Sequence, residues 1–402
     1  MFAPVARLET VRLLLALAAH DGWSVHHMDV KSAFLNGDLE EEVYVQQPPG
    51  FIDDKQGGAV LRLRKALYGL RQAPRAWHSK LDASLVSLGF DRCPMEHGVY
   101  KRKTGDDLLL VGVYVDDLIV TGSKDTDIEE FKAQMGKLFS MSDLGLLSYY
   151  LGIEVQQSRG IITMCQSSYA KKILEMSGMI GCNACATPME NRLKLSKKDG
   201  SAAVNPTEYR SIVGSLRYLV NTRPDLAYSV GIVSRYMEDQ TSQHMAAVKH
   251  ILRYLSGTIR FGCCYRKQDQ SDNGLMGYSD SDLAGDLDDR RSTLGAAFFL
   301  GVSLVTWTSQ KQKVVALSSC EAEYIAAASA ACQGLWLSRL LNDLIGGAAK
   351  KFKLLVDNKS AIALTKNPVH HDRSKHIDTK FHFIRQCVEE EKVQIDHIGT
   401  DG

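Results

Sequence analysis

Six carboxylates define the chemistry this chain could do. Asp116 and Asp117 stand side by side in Tyr114-Val115-Asp116-Asp117, between apolar runs at residues 108–113 and 118–120. Two buried strands joined by an acidic tip read as a hairpin. Adjacent aspartates buried without partners would be very costly. At a turn, with a third carboxylate nearby, they suit hard divalent cations. Two cations about 3.5–4 Å apart can stabilise both the attacking and the leaving oxygen of phosphoryl transfer. Asp29, at the end of an apolar strand pattern over residues 23–30, is placed to be that third group. Asp280, Glu323 and Asp357 form a second set: one ends a strand, one lies early on a long helix, and one ends another strand. Such a distribution suits a two-metal nuclease.

The elements that must hold these groups are legible in outline. A helix is predicted over residues 8–19 and a strand over 23–30; residues 31–35 turn away and Asn36-Gly37-Asp38 breaks the segment. Pro48-Pro49-Gly50 to Gly57-Gly58 is loop. A short strand is expected over 60–64, and a helix over 74–88 closed by Gly89. The acidic hairpin follows, then a helix over 127–138 and a strand over 149–156. Residues 169–257 read as mostly helical, with turn signals at Pro188, Gly200, Pro206 and Pro224. Residues 267–274 read as a polar linker. Strands are then expected over 275–279, 295–301 and 303–308. A long helix should start at Ser318 or Ser319 and run to 344, with an acceptable N-terminus in Ser319-Cys320-Glu321-Ala322. A strand over 352–356, helices over 360–365 and 377–391, and a strand over 393–398 complete the order βββ-α-β-α-α-β, a mixed domain in its own right. The fold class is α+β.

Composition narrows the partners. The chain has 402 residues, 45% apolar and 24% charged, with net charge +1. This suggests a globular protein of two or three domains. Without a basic excess, nucleic-acid contact must come from local patches such as Arg62, Arg64, Lys65, Arg71 and Arg75. Nine cysteines include Cys182-Asn183-Ala184-Cys185 and Cys263-Cys264. No second CxxC completes a zinc ribbon, and the odd count argues against a full disulfide framework, so free thiols in a reducing compartment are expected. The apolar run at residues 13–19 is far too short to span a membrane and has no convincing cleavage site. No membrane partner is expected.

Met28-Asp29-Val30-Lys31-Ser32-Ala33-Phe34-Leu35-Asn36-Gly37 and Tyr114-Val115-Asp116-Asp117 together resemble the palm of a reverse transcriptase. The block Leu67-Tyr68-Gly69-Leu70-Arg71-Gln72-Ala73-Pro74-Arg75-Ala76-Trp77 makes the likeness specific. In this order the three blocks are similar to the polymerase of Ty1/copia-type LTR retrotransposons, over nearly the whole chain. The resemblance implies that Asp29 and Asp116 hold two Mg²⁺ ions, with Mn²⁺ an alternative, assisted by the carbonyl of Val30 and supported by Asp117. Phe34 would take the place of an aromatic gate that crowds a ribose 2′-OH; a plain core aromatic accounts for it equally simply. Gln72 and Arg75 would lie near template and incoming nucleotide, with Tyr114 beside them; Arg75 also reads as a solvated helix charge. Tyr149-Tyr150-Leu151-Gly152-Ile153 would support the primer. The implied partners are RNA template, DNA primer, dNTPs and RNA–DNA hybrid, in a cytoplasmic particle.

The stretch from Tyr278 to Asp286 resembles the opening of the copia-type ribonuclease H domain. Asp289-Arg290-Arg291-Ser292-Thr293, Ser318-Ser319-Cys320-Glu321-Ala322-Glu323-Tyr324 and Val356-Asp357-Asn358 continue it. The implied metal ligands are Asp280, Glu323 and Asp357. Glu321 rivals Glu323, which is preferred because it immediately precedes the helix's apolar run. Asp282 rivals Asp280 and is read as starting the turn. Leu283 stands where the family usually has Trp, a change expected to affect packing. His370-His371 and His376-Ile377-Asp378 with His382 fit no standard zinc spacing and resemble the family's approach to its last helix, in a structural or RNA-contacting role. Asp378 could be taken for a fourth nuclease carboxylate, but element order argues otherwise.

The organisation expected is a palm over residues 1–160, a mostly helical thumb or connection over 161–266, a linker over 267–274 and a ribonuclease H-like domain over 275–402. The resemblance also implies a fingers segment ahead of Phe2-Ala3-Pro4-Val5 and a terminal helix after the last strand. The expectation is therefore a Pol fragment, truncated at both ends and impaired as an RNA-directed DNA polymerase and ribonuclease H. The alternative is an inactive remnant that still binds RNA–DNA hybrid with salt-dependent affinity, or a pseudogene product.

Overall fold

Four sheets form among the described residues, and the two largest hold the aspartates of the two acidic sets near their strand ends. The computed structural model describes residues 3–52, 58–268, 274–346, 351–366 and 379–399. The chain divides into two compact units, Met1–Leu14 with Trp23–Leu147 and Leu15–Gly22 with Ser148–Gly402.

The division falls inside α1 (Leu8–Asp21). The first unit continues with β1 (Val25–Val30) and a 3-10 turn, Ala33–Asn36. A small antiparallel ribbon follows, β2 (Tyr44–Gln46) and β3 (Val60–Arg62), then α2 (Ala73–Ser87). Next come β4 (Asp91–Arg92), β5 (Val99–Thr104), β6 (Asp107–Tyr114), β7 (Asp117–Gly122), α3 (Asp125–Leu138) and β8 (Met141–Leu146). The main sheet is ordered β4-β5-β6-β7-β1-β8, with every neighbouring pair antiparallel. Helices α2 and α3 bury Trp77, Leu81, Leu85, Ile128, Phe131 and Met135 with Met28, Val111, Val113 and Leu118 of the strands. Placing β1 between β7 and β8 sets Asp29 opposite Asp117.

In the second unit β9 (Tyr149–Tyr150), β10 (Ile153–Ser158) and β11 (Ile161–Cys165) precede α4 (Ser167–Met176), α5 (Pro206–Leu219), α6 (Ala227–Val233) and α7 (Ser242–Gly257). After α7, β12 (Gly262–Arg266) pairs with β11, giving a sheet ordered β12-β11-β10-β9. Asn205 starts α5 by accepting from the backbone N–H groups of Thr207 and Glu208, ahead of Pro206, a strong start signal. The helices bury a shared core that includes Tyr209, Val213, Leu216, Val233, Val248 and Leu255.

The remainder comprises β13 (Leu275–Ser281), β14 (Thr293–Leu300), β15 (Ser303–Lys311), α8 (Ser319–Ile345), β16 (Phe352–Val356), α9 (Lys359–Lys366), α10 (Phe383–Glu389) and β17 (Val393–His397). Its sheet is ordered β15-β14-β13-β16-β17. The first three strands are antiparallel, and β16 and β17 run parallel to β13. This mixed sheet with α8 against it is the ribonuclease H-like architecture. Two glycines permit the close packing: a Cβ on Gly277 or on Gly334 would lie 2.4 Å from the ring of Phe298 or Phe352 respectively.

Several strands lie where none was predicted. Residues 149–156 form two antiparallel strands rather than one, because Leu151 and Gly152 turn the chain with φ of 49° and 75°. Strands β2, β4, β5, β8, β11 and β12 were not expected. Among these, β8 reads Met-Ser-Asp-Leu-Gly-Leu and exposes half its residues at a sheet edge, so it lacks the apolar alternation that marks a strand. The predicted start of the 377–391 helix lies outside the described residues.

Candidate active sites

Parallel strands finish at the same edge of a sheet, and that places Asp280 beside Asp357. Asp280 lies near the end of β13, and Asp357 directly follows β16, with Ser279 in register with Val356. Glu323 comes from the second turn of α8, which packs across β13. One carboxylate oxygen from each of Asp280, Glu323 and Asp357 lies within 4.8 Å of the other two. Glu323 is 4% exposed. Its Oε1 accepts from the Ser281 N–H at 3.0 Å, whereas its Oε2 is buried without a hydrogen-bond partner. Burial, then the like charges of Asp357 and Asp280, push Glu323 up to about 8 despite the Ser281 N–H. A divalent cation would neutralise the crowded charge and give Oε2 a partner, so the trio fits one.

The rival acids do other work. Glu321 Oε2 accepts from the Leu317 N–H at 2.9 Å, and the Glu321 N–H donates to Ser318 Oγ, so this glutamate closes the start of α8. Residues two apart on a helix point about 200° apart, so one helix face cannot present both glutamates. Asp282 Oδ1 accepts from the Thr293 N–H at 2.9 Å and holds the turn after β13. Asp286 is buried and ion-paired to Arg235 at 3.1 Å and to Lys311 at 2.8 Å. A cleft of about 590 Å³ opens beside Asp280 and Asp357, walled by Tyr278, Trp307 and Tyr228. His382 lies 2.9 Å from the Tyr324 hydroxyl. Leu283 is half exposed. His370, His371, His376 and Asp378 lie outside the described residues.

The hairpin presents the other set. Tyr114 pairs with Asp117, leaving Val115 and Asp116 as a two-residue loop. Val115 takes φ 59°, as primed hairpin turns require at that position, although a β-branched residue resists it at a cost of about 1–3 kcal/mol. The Val30 N–H donates to the Asp116 carbonyl at 2.9 Å, tying β1 to the loop. Burial raises the Asp116 carboxyl, and the charges of Asp117 and Asp29 add to it. Asp29 and Asp116 therefore share one electrostatic site. Among the described residues, the Asp280 trio is the one three-carboxylate group with all its ligand oxygens within 4.8 Å. At the hairpin, Asp117 Oδ1 lies 2.8 Å from His27 Nε2. Asp29, Asp116 and the Val30 carbonyl offer two charges and a neutral oxygen, a donor set that suits a hard cation.

The other predicted residues lie on neighbouring elements of the same unit. Phe34 sits on the 3-10 turn after β1, its ring 4.6 Å from that of Tyr68. Gln72 precedes α2 and is half-buried, and Arg75 is exposed on its first turn. Tyr114 is half-buried at the end of β6. Sequence reasoning missed His27, Trp77 and Tyr68 as neighbours of the site. His27 had a usable signal: two residues before Asp29 on a strand, it shares that residue's face. Trp77 Nε1 donates to the Val115 carbonyl at 2.6 Å, a contact that no spacing announces.

Comparison with known proteins gives the family. Residues 1–191 match the family described as Reverse transcriptase (RNA-dependent DNA polymerase). The chain is 40% identical over its full length to the Retrovirus-related Pol polyprotein from transposon TNT 1-94 of Nicotiana tabacum, of which it covers 31%. It is 39% identical, over 99% of its length, to the corresponding polyprotein from transposon RE1 of Arabidopsis thaliana, of which it covers 27%. Over 75% of its length it is 36% identical to the transposon Ty5-1 protein of Saccharomyces cerevisiae, of which it covers 98%. Among solved structures, an RNase H1 isolated from compost shares 16% identity over 32% of this chain and 86% of its own, with a TM-score of 0.24. The fold class rests on the sheet order and on the family match. Fold and sites together define a reverse-transcriptase palm and a ribonuclease H-like domain carried on one polypeptide. The chain belongs to the Pol family of Ty1/copia-type LTR retrotransposons. It spans about a third or less of the Pol polyproteins of tobacco and Arabidopsis that it matches.

Proposed function

We propose that the chain is an RNA-directed DNA polymerase with RNA–DNA hybrid ribonuclease H activity. The observation that carries this reading is the presence of two separate carboxylate sets, Asp29 and Asp116 at the end of β1 and the β6–β7 turn, and Asp280, Glu323 and Asp357 brought together by β13, α8 and β16. Both reactions displace an oxygen at phosphorus, where catalysis is mostly positioning and electrostatic stabilisation. Asp29 and Asp116, with the carbonyl of Val30, would hold cations in the palm; Asp280, Glu323 and Asp357 would hold them in the ribonuclease H-like domain. When bound, Mg²⁺ or Mn²⁺, two per site, would offset the charge that develops on the attacking and leaving oxygens.

The chain's own groups set the rest. The Ser281 N–H orients Glu323 by holding Oε1, leaving Oε2 free to act as ligand. His27 orients Asp117, which supports the palm site from beside it. Phe34, its ring 4.6 Å from that of Tyr68, would crowd a ribose 2′-OH. Gln72, Arg75 and Tyr114 would meet template and incoming nucleotide. The substrates are RNA template, DNA primer and dNTPs in the palm and RNA–DNA hybrid in the second site, within a cytoplasmic particle. Among the described residues no helix is long and apolar enough to cross a membrane.

Primer extension on an RNA template with Mg²⁺ or Mn²⁺ tests the polymerase reading. Extension by the parent chain that drops by about 10³-fold or more in Asp116→Ala supports it. Extension that survives the substitution contradicts the assigned role of Asp116.

A further inference from the structure

The acidic hairpin tip is gripped at two successive carbonyls by two different elements. Val115 stands in the left-handed region, where its branched side chain is disfavoured. Its carbonyl accepts from the indole N–H of Trp77, on α2, at 2.6 Å. The next carbonyl, of Asp116, accepts from the Val30 N–H of β1 at 2.9 Å. The indole itself has little freedom: Trp77 is 1% exposed and meets Phe139 edge-on, with ring centroids 5.1 Å apart. A buried indole N–H is a donor that needs an acceptor, and α2 aims this one at the peptide linking Val115 to Asp116.

The geometry points to Trp77 as a positioning residue, whose N–H holds Val115 in the left-handed turn and so fixes the direction in which Asp116 projects beside Asp29. This inference rests on reading Asp116 as a polymerase carboxylate. It goes further by assigning the loop's conformation to a side chain 38 positions earlier in the sequence. The carboxylate is aimed through the backbone, so the role of Trp77 is separable from its packing.

Two substitutions in the full chain separate them. Trp77→Phe keeps an aromatic ring against Phe139 and removes the donor. Val115→Gly relieves the strain, because glycine takes positive φ freely. In W77F, hydrogen exchange at the backbone amides of residues 115–117 should rise about tenfold, the effect of one lost hydrogen bond, while the rest of β6 and β7 keeps its protection. In W77F/V115G it should return to within about threefold of the parent. Exchange at the tip that stays at the parental rate, or rises equally along β5, β6 and β7, would overturn the inference and leave Trp77 as a packing residue. In primer extension, W77F should lower kcat about tenfold, with KM for dNTP unchanged, and V115G should restore it. A raised KM at unchanged kcat also overturns the inference. A parent chain that extends no primer contradicts the polymerase reading of Asp116; the exchange measurement then decides the clamp alone.

Discussion

Glu323 carries a negative charge only against opposition. Burial and two neighbouring aspartates push its carboxyl up to about 8, and one of its oxygens has no partner. A cation would offset the charges of the two aspartates and give that oxygen a partner, and that makes Glu323 the most informative single residue. Substituting Gln preserves shape and an acceptor for the Ser281 N–H but removes the charge. In an Asp116→Asn background, which silences the hairpin site, Mg²⁺ or Mn²⁺ at about 100 times its dissociation constant should stabilise the parent by about 2.7 kcal/mol. Glu323→Gln should lose most of that gain while unfolding no earlier without cation. Thermal unfolding with and without cation measures both, and a variant that keeps the full gain shows that Glu323 is not a ligand. Part of this site was legible at the residue scale. A helix cannot point Glu321 and Glu323 the same way, and the structure turns Glu321 to the Leu317 N–H and Glu323 to the aspartates. That His27 shares the face of Asp29 was legible from strand alternation, but its pairing with Asp117 and the Trp77 contact to Val115 were not, because each depends on strand or helix neighbours far away in sequence.

At the scale of elements, α8 was the easiest part to read and the strand pairing the hardest. A long apolar run behind Ser318 predicts the helix and its start, and Ser318 Oγ accepts from the Glu321 N–H there. Nothing in the sequence states that β16 lies parallel and adjacent to β13, yet that adjacency brings Asp357 to Asp280. The short turn at Leu151-Gly152 was missed because it lacks the Asn or Asp that usually marks a primed turn. Ion pairing then fixes elements that periodicity cannot place. Burial alone would raise Asp286, but the Lys311 hydrogen bond and the Asp288 and Asp289 N–H groups bring it down to about 2. A folded-state value below the ordinary carboxylate value of 3.8 stabilises the fold above that pH, and the contribution fades as pH falls through about 2. Asp286→Asn should therefore cost about 2 kcal/mol at pH 7, and less at pH 3. Urea unfolding at the two pH values checks the size and the sign. An equal loss at both would show that the carboxylate's charge is not what holds Arg235 and Lys311.

At the scale of the whole molecule, composition excluded little and the spacing of the acids decided much. A net charge of +1 gives no electrostatic reason to bind nucleic acid, so the sequence blocks around Asp29, Gln72 and Asp116 had to carry the class. They did, because catalytic acids at strand ends leave a local signature that does not depend on knowing the sheet. Family membership follows from the matches across the chain, whereas the division into two compact units falls inside α1, where no composition shift marks it. The role proposed for Asp280, Glu323 and Asp357 is a cation-dependent site acting on RNA paired with DNA. The most direct measurement is cleavage of a labelled RNA–DNA hybrid by the full chain, with Mg²⁺ or Mn²⁺ and with chelator. Cleavage of the RNA strand should require the cation and fall by about 10³-fold or more in Asp280→Asn, with duplex DNA left intact. Cleavage that persists in Asp280→Asn, or a parent chain that leaves the hybrid uncut at every cation concentration, would contradict it.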